Sequence, residues 1–259
     1  MYDQLGRNLS ITNPINRVVC LVPSLSELLM DLGLDSKLVG VTKFCVHPQD
    51  LRGSKVVVGG TKSIHLDKIA ALNPDLIIAN KEENSQEIVA SCASLAPVYV
   101  SDINNFDEFK IFLEDLGILF NIKDRTDALM RNFQNRVDSF RSNHKSLPPR
   151  KVAYLIWKNP LMAAGGDNFI NVILNELHLN NIFENKASRY PEVTESELND
   201  ADFIFLSSEP FPFSEKHIQE FKDITNTKIL LVDGEFFSWY GSRLLLAFDY
   251  FDLLLNDLK

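Results

Sequence analysis

The chain lacks most of the marks that would place it in a specialised class. Cysteine is scarce: Cys20, Cys45 and Cys92 are an odd number without CxxC spacing, and they support neither a disulfide framework nor a zinc ribbon. Apolar runs such as Leu76-Ile77-Ile78-Ala79 and Ile229-Leu230-Leu231-Val232 fall far short of the ~20 residues that cross a bilayer. No basic stretch followed by an apolar one opens the chain, so Met1-Tyr2-Asp3-Gln4-Leu5-Gly6 does not read as a secretory signal. Positive charge is in short supply, with 26 Lys+Arg against 35 Asp+Glu and a net charge of −9. That balance argues against nucleic acid or an anionic membrane as partner, because their phosphates call for a basic surface. Catalytic motifs are lacking too: there is no GxxxxGK[ST], no GxSxG elbow and no HExxH. No catalytic residue is assigned, and the expectation is a protein that is not an enzyme.

What is there is an ordinary globular composition, 45% hydrophobic and 24% charged over 259 residues, which suits one large domain or two smaller ones. Within it a pattern occurs twice. Residues 17–22 read as a buried strand, a helix runs from Leu25 to Leu32, and Leu38–Val41 is a short strand. A helix over 66–72 stops at Asn73-Pro74, and strands follow at 75–79 and 97–100. The second copy opens with a strand at 151–157 and passes through a helix near 168–177. Thr194 heads another helix, and strands lie at 202–206 and 228–233. Apolar strands alternating with helices imply parallel pairing, buried on both faces. From Phe106 to about His144 there is no proline and apolar residues recur at helical spacing, with a turn near 121–124 and a final helix of about 20 residues, ~30 Å long. The fold class read from this is α/β: two similar lobes with central, mainly parallel sheets, joined by a long rigid helix. The expected boundaries are 1–103, 104–148 and 149–259, the last ending in a helix from about Ser242 to Leu258.

The ordered set Val22-Pro23-Ser24-Leu25-Ser26-Glu27-Leu28-Leu29, Val58-Gly59-Gly60-Thr61 and Asn73-Pro74-Asp75-Leu76-Ile77-Ile78 resembles the first lobe of helical-backbone (class III) substrate-binding proteins of ABC importers. Arg189-Tyr190-Pro191-Glu192-Val193-Thr194 and the segment 236–243 are similar to the cobalamin-binding members. The resemblance implies a monomer of the periplasm or cell envelope that captures a corrinoid in an inter-lobe cleft and delivers it to a permease and ATPase. It implies no resident cofactor, the cobalamin-type chelate being the ligand. The missing signal leaves a cytoplasmic location open. Haem, a ferric siderophore, or a cytoplasmic chelate-handling protein or enzyme on the same scaffold are the alternatives, with Glu209, His47 and Asp233 the only loose candidates for chemistry.

Loops at the carboxyl ends of parallel strands line such clefts. Trp157, Phe211, Phe213, Phe236, Phe237, Trp239 and Tyr240 fall on them, and a corrin-sized ligand needs broad ring contacts of about 150–250 Å² each. Any one of these rings could equally be core; the density of rings over 236–240, between polar residues, points to the ligand. Arg189 and Arg243 offer planar forks of donors. Ser24, Thr61, Ser207 and Ser208 offer hydroxyls, although helix capping is the better reading for Ser24. The family resemblance makes the Phe44-Cys45-Val46-His47-Pro48 loop ligand-facing and adds Tyr190. His47 is a weak candidate for coordinating the chelate's metal, and no metal site of the protein's own is expected. Gly165-Gly166-Asp167-Asn168 reads as a turn lining the cleft. The resemblance also implies one acidic docking residue per lobe. In the first lobe the aligned position is Gln86, so Glu83 or Glu87 takes the role; the second offers Glu209 and Glu215.

Overall fold

The computed structural model describes residues 1–11 and 13–258. The chain divides into two compact units: Met1–Asn132 with Tyr240–Arg243, and Phe133–Trp239 with the segment from Leu244 onward.

In the first unit the elements follow as β1 (Val18–Cys20), α1 (Pro23–Asp31), β2 (Leu38–Val41), α2 (Leu51–Ser54), β3 (Val56–Val57), α3 (Leu66–Leu72), β4 (Leu76–Asn80), α4 (Gln86–Ala93), β5 (Val98–Ser101) and α5 (Phe106–Phe120). The five strands pair in parallel in the order β3-β2-β1-β4-β5. β4 is buried at every residue, which is why it reads as a run of apolar residues without alternation. Helix α1 starts with Pro23 in its first turn, where the missing N–H costs nothing. It ends at Leu32, and Gly33 follows at φ +72°, a conformation that a side chain resists. The Arg125 guanidinium donates to the Leu32 carbonyl at 2.8 Å and closes that helix end. Helix α5 begins at the capping residue Asn105 and stops at a left-handed Asn121; Phe109, Phe112, Leu113 and Leu116 form its buried stripe. Side chains of the N-terminal segment cover the edge strand β5. Val100 N–H donates to Asp3 at 3.1 Å, Asp102 N–H to Gln4 at 3.0 Å, and Arg7 donates to the Val98 carbonyl at 2.9 Å.

Helix α6 (Lys123–His144) is uninterrupted over 22 residues, and its residues divide between the two units at Asn132 and Phe133. The turn expected near 121–124 falls at Asn121, between α5 and α6, and α5 lies wholly within the first unit.

The second unit continues with β6 (Arg150–Trp157), β7 (Met162–Ala163), α7 (Phe169–Glu176), β8 (Leu179–Asn181), a 3₁₀ turn over Glu195–Asp200, β9 (Phe203–Ser207), α8 (Glu215–Lys222), β10 (Lys228–Val232), α9 (Gly234–Ser238) and α10 (Leu244–Asp257). β10, β9 and β6 run parallel, β8 pairs in parallel with β6, and β7 runs antiparallel to it. β6, β9 and β10 repeat the neighbour relations of β1, β4 and β5, as the duplicated pattern predicts; the β7 side is where the copies diverge. Thr194 caps a 3₁₀ turn where a helix was expected, in a box closed by Glu197. Helix α10 buries Leu244, Ala247, Phe248, Phe251, Leu254 and Leu255, a stripe at helical spacing. No helix among the described residues is long and apolar enough to cross a membrane.

Candidate functional site

In an open parallel sheet, ligands gather beyond the carboxyl ends of the strands where successive connections leave in opposite directions. In the first unit the chain builds outward from β1 to β2 and β3, then returns to place β4 on the other flank of β1. The switch therefore lies between β1 and β4. In the second it lies between β6 and β9, because β7 and β8 sit on one flank of β6 and β9 on the other.

At the first switch the loops after β1 through β4 bring Ser24, Phe44, His47, Thr61 and Glu83 to one end of the sheet. Ser24 is not the helix cap. Pro23 takes the first helical position, so the cap falls on Val22, and Ser24 is buried inside the first turn. Phe44 keeps 49% of its surface exposed, with the Lys43 ammonium 5.0 Å above its ring and Gly60 beside it. Beneath this face lies a buried polar knot. The Asn80 amide donates to Ser101 and its oxygen accepts from the Glu82 and Glu83 N–H groups, while the Asn84 amide donates to the Thr61 carbonyl at 2.9 Å. Burial pushes the Glu83 carboxyl above the ordinary glutamate range, offset in part by Lys62 and by a hydrogen bond from the Thr61 hydroxyl. Cys45 is buried against Thr42 and Ser26, and burial pushes its thiol up and that of Cys20 to about 12, the reverse of what a thiolate ligand needs. His47 is half-buried, and no group of three or more metal-ligating side chains occurs among the described residues.

Arg243 stands in the same unit. Its guanidinium grips Glu27 of α1 through two bonds of 2.8 and 2.9 Å, both side chains largely buried, and the Ser242 hydroxyl bonds Asp31 of that helix. Arg243 thus has a partner inside the protein that the sequence reading did not supply. Glu27 was within the quoted motif, but its spacing of more than 200 residues from Arg243 gave no signal.

At the second switch Trp157 ends β6 with 38% of its surface exposed, and Phe211 packs edge-on against it at 5.5 Å. The Ser208 hydroxyl accepts from Gly234 N–H at 2.9 Å and so ties the β9 loop to the start of α9. The Ser238 hydroxyl donates to Glu209 at 2.5 Å across the same junction. Tyr154 donates to Ser207, which donates to the Glu209 carbonyl at 2.7 Å. The ring-rich segment after β10 splits by helical rotation. Phe236 and Trp239 are half-buried, with Phe236 stacked on Tyr250 at 4.8 Å. Phe237 is wholly buried against Tyr154, Phe205 and Phe251, and Tyr240 and Phe213 are buried as well. Ordinary packing therefore accounts for three rings that the sequence left equally open to core and to ligand. Successive residues on a helix point about 100° apart, so a dense run of rings cannot face one way.

Arg189 and Tyr190 lie beside β7, away from the switch. Arg189 bonds the Asp167 carbonyl, with the Asp167 carboxylate 3.6 Å away. There Gly166 admits the Glu184 carbonyl where no Cβ would fit. Asn168 and Asn181 donate their amides to the carbonyls of 164, 165 and 189. The Gly165–Asn168 turn is thus a closed knot of its own. Of the expected docking acids, Glu83 and Glu209 are half-buried and bonded within their own units, whereas Glu87 and Glu215 are exposed in the first turns of α4 and α8.

Known proteins share this architecture. The profile of a family described as periplasmic binding protein matches residues 18–223. A vitamin B12-binding protein of Vibrio parahaemolyticus is 24% identical over 182 residues, 70% of this chain and 66% of the relative. An uncharacterized ABC transporter substrate-binding lipoprotein of Bacillus subtilis, YvrC, is 25% identical over 69% of this chain and 59% of its own length. The chain thus spans about two thirds or less of the curated relatives it matches. Among solved structures, the periplasmic vitamin B12 binding protein BtuF of Vibrio cholerae superposes with a TM-score of 0.80 at 22% identity, covering 95% of this chain and 98% of that one. The periplasmic heme-binding protein BhuT reaches 0.81 at 18% identity, covering 93% and 98%.

Proposed function

We propose a receptor function on one premise: the chain belongs to the periplasmic binding protein family, and its fold is that of the helical-backbone class. That family consists of substrate-binding proteins. On this reading the protein captures a corrinoid-type metal chelate and passes it to the permease and ATPase of an ABC importer at the cell envelope. The candidate contact residues are Ser24, Phe44, His47 and Thr61 on the carboxyl-end loops of the first unit and Trp157, Ser208, Phe236 and Trp239 on the corresponding loops of the second, each unit being taken by itself.

The observation that carries the reading is the pair of large exposed rings, Phe44 and Trp157, each at the carboxyl end of its sheet, Trp157 at the switch itself. Large aromatics left in water there suit a broad, flat, partly apolar ligand. Arg243 is held by Glu27 and Arg189 by Asp167, which gives each a supporting role behind the contact surface. Glu87 and Glu215 are the proposed permease-docking residues. They occupy the matching first turn of the helix that follows β4 and β9, and Glu87's own backbone N–H, with the Ser85 hydroxyl, holds its carboxyl below the ordinary range.

Trp157 and Trp239 are the chain's two tryptophans, so intrinsic fluorescence reports on the proposed contact residues alone. Titration with cyanocobalamin is expected to quench it at one ligand per chain, and Trp157→Ala to weaken binding by about tenfold or more. Quenching by haemin with no response to any corrinoid would move the cargo to haem.

A further inference from the structure

We infer that β10 is a docking edge for a second copy of this chain, the two strands pairing antiparallel about a two-fold axis at Leu230. The edge belongs to the second unit alone, and the pairing is independent of the receptor reading. β10 ends its sheet, with β9 on one side and no strand of the described residues on the other. Ser208 N–H donates to the Val232 carbonyl, so Val232, Leu230 and Lys228 turn their backbone groups toward β9. Ile229 and Leu231 turn theirs outward, and no hydrogen bond from a described residue reaches those N–H and C=O groups. The outward N–H groups on either side are met within the unit: Thr227 donates to the Thr225 hydroxyl at 3.1 Å and Asp233 to the Tyr250 hydroxyl at 2.9 Å.

The first unit shows the same edge covered. β5 holds the place of β10 there, since Lys81 N–H donates to the Ser101 carbonyl as Ser208 N–H does to Val232. Val98 and Val100 therefore match Ile229 and Leu231. Arg7 donates to the Val98 carbonyl and Val100 N–H to Asp3, and β5 is buried at every residue. β10 stays exposed or half-buried from Lys228 to Leu231, although its sequence is just as apolar. Bare apolar edges of this kind are templates for another strand.

The strand is complementary to itself. Set antiparallel with Ile229 opposite Leu231, two copies satisfy every outward N–H and C=O of both residues, and Leu230 faces its own copy on the axis. The same register brings Lys228, the strand's one charge, beside Asp233 of the second copy, whereas parallel pairing would set lysine on lysine. Apolar surface continues from the strand onto α10. That helix runs past β10, its Tyr250 hydroxyl at Asp233 and its Asp257 carbonyl accepting from the Lys228 ammonium. Leu246 and Leu253, one turn to either side of Tyr250, share its flank and keep 56% and 68% of their surface exposed.

The test is sedimentation velocity of the full chain across concentration, with no ligand present, so it decides nothing about the receptor reading. A monomer–dimer equilibrium is expected. Leu231→Pro is expected to weaken it about tenfold or more, because proline there removes an outward N–H and leaves the ladder to β9 intact. Far-ultraviolet circular dichroism checks that the variant is folded. Leu230→Cys, oxidised with copper–phenanthroline, reads the register. Cysteines facing each other on the axis lie within disulfide reach and are expected to give a covalent dimer on a non-reducing gel. Lys228→Cys, about 13 Å along the strand from its counterpart, is expected to give none. Cys20, Cys45 and Cys92 are buried, and the wild-type chain supplies their baseline. A monomer at every concentration up to about 1 mM overturns the inference. So does a dimer that folded Leu231→Pro leaves unchanged. Should Leu231→Pro unfold, the cross-link decides: none at position 230, or as much at 228, overturns it. A chain that is monomeric alone yet sediments with permease-containing nanodiscs gives the edge to that partner and overturns the dimer.

Discussion

Arg243 shows how one residue's surroundings decide its role. A guanidinium beside a cluster of rings suggests a ligand contact, but here both ends of its fork are satisfied by Glu27 inside a largely buried pair. Removing one member strands the other, which typically costs 3–5 kcal/mol. Glu27→Ala is therefore expected to lower stability by about 3 kcal/mol in urea unfolding, whereas Glu27→Met combined with Arg243→Met recovers most of it. A second residue-scale consequence concerns protons. Tyr99 donates to Asp115 at 2.5 Å, and burial holds the Asp115 carboxyl above its ordinary value of 3.8, with Glu114 and Asp3 pushing the same way and Tyr99 and the N-terminal amine opposing. The folded state then binds more protons than the unfolded one just above pH 3.8, so this group's contribution to stability falls as pH rises through that window. Asp115→Asn, which keeps an acceptor for Tyr99, is expected to flatten that part of the curve in pH-dependent denaturation. An unchanged slope would assign it to other groups.

The elements themselves were largely legible, because period carries them: α3 begins and ends where the sequence placed it, and β4 and β9 follow from their apolar runs. The caps and knots were not. Ser24 looked like a capping serine, but proline at the next-earlier position moves the cap to Val22. Asn80, Asn84 and Asn181 carried no signal, because partners such as the Ser101, Thr61 and Ala164 carbonyls are brought near only by the fold. Asn181 donates to the carbonyls of Ala164 and Gly165 and to Asn171, and accepts from Phe183 N–H. With those groups buried, Asn181→Ala is expected to cost about 2–3 kcal/mol in chemical denaturation, from the carbonyls left without donors. Rings divided along the same line. Phe237 completes a core cluster with Tyr154, Phe205 and Phe251, while Phe236 on another face of α9 and Trp239 just past its end stay half-buried, a difference invisible in a run of similar letters.

At the scale of the whole molecule, the duplication was readable because both copies use the same three-strand relation, β1-β4-β5 and β6-β9-β10. What the linear pattern hid is that the units are not continuous stretches. Tyr240–Arg243 belongs with the first unit, although the residues on both sides of it belong with the second. A gene severed after α6 would therefore yield a front half whose α1 carries a buried glutamate with no guanidinium to meet it. The back half would keep an arginine built for a helix it no longer has. Neither piece alone holds both members of the Glu27–Arg243 pair, so each is expected to be unstable by itself, and co-expressing the two, which brings Arg243 back to Glu27, is expected to restore a folded protein.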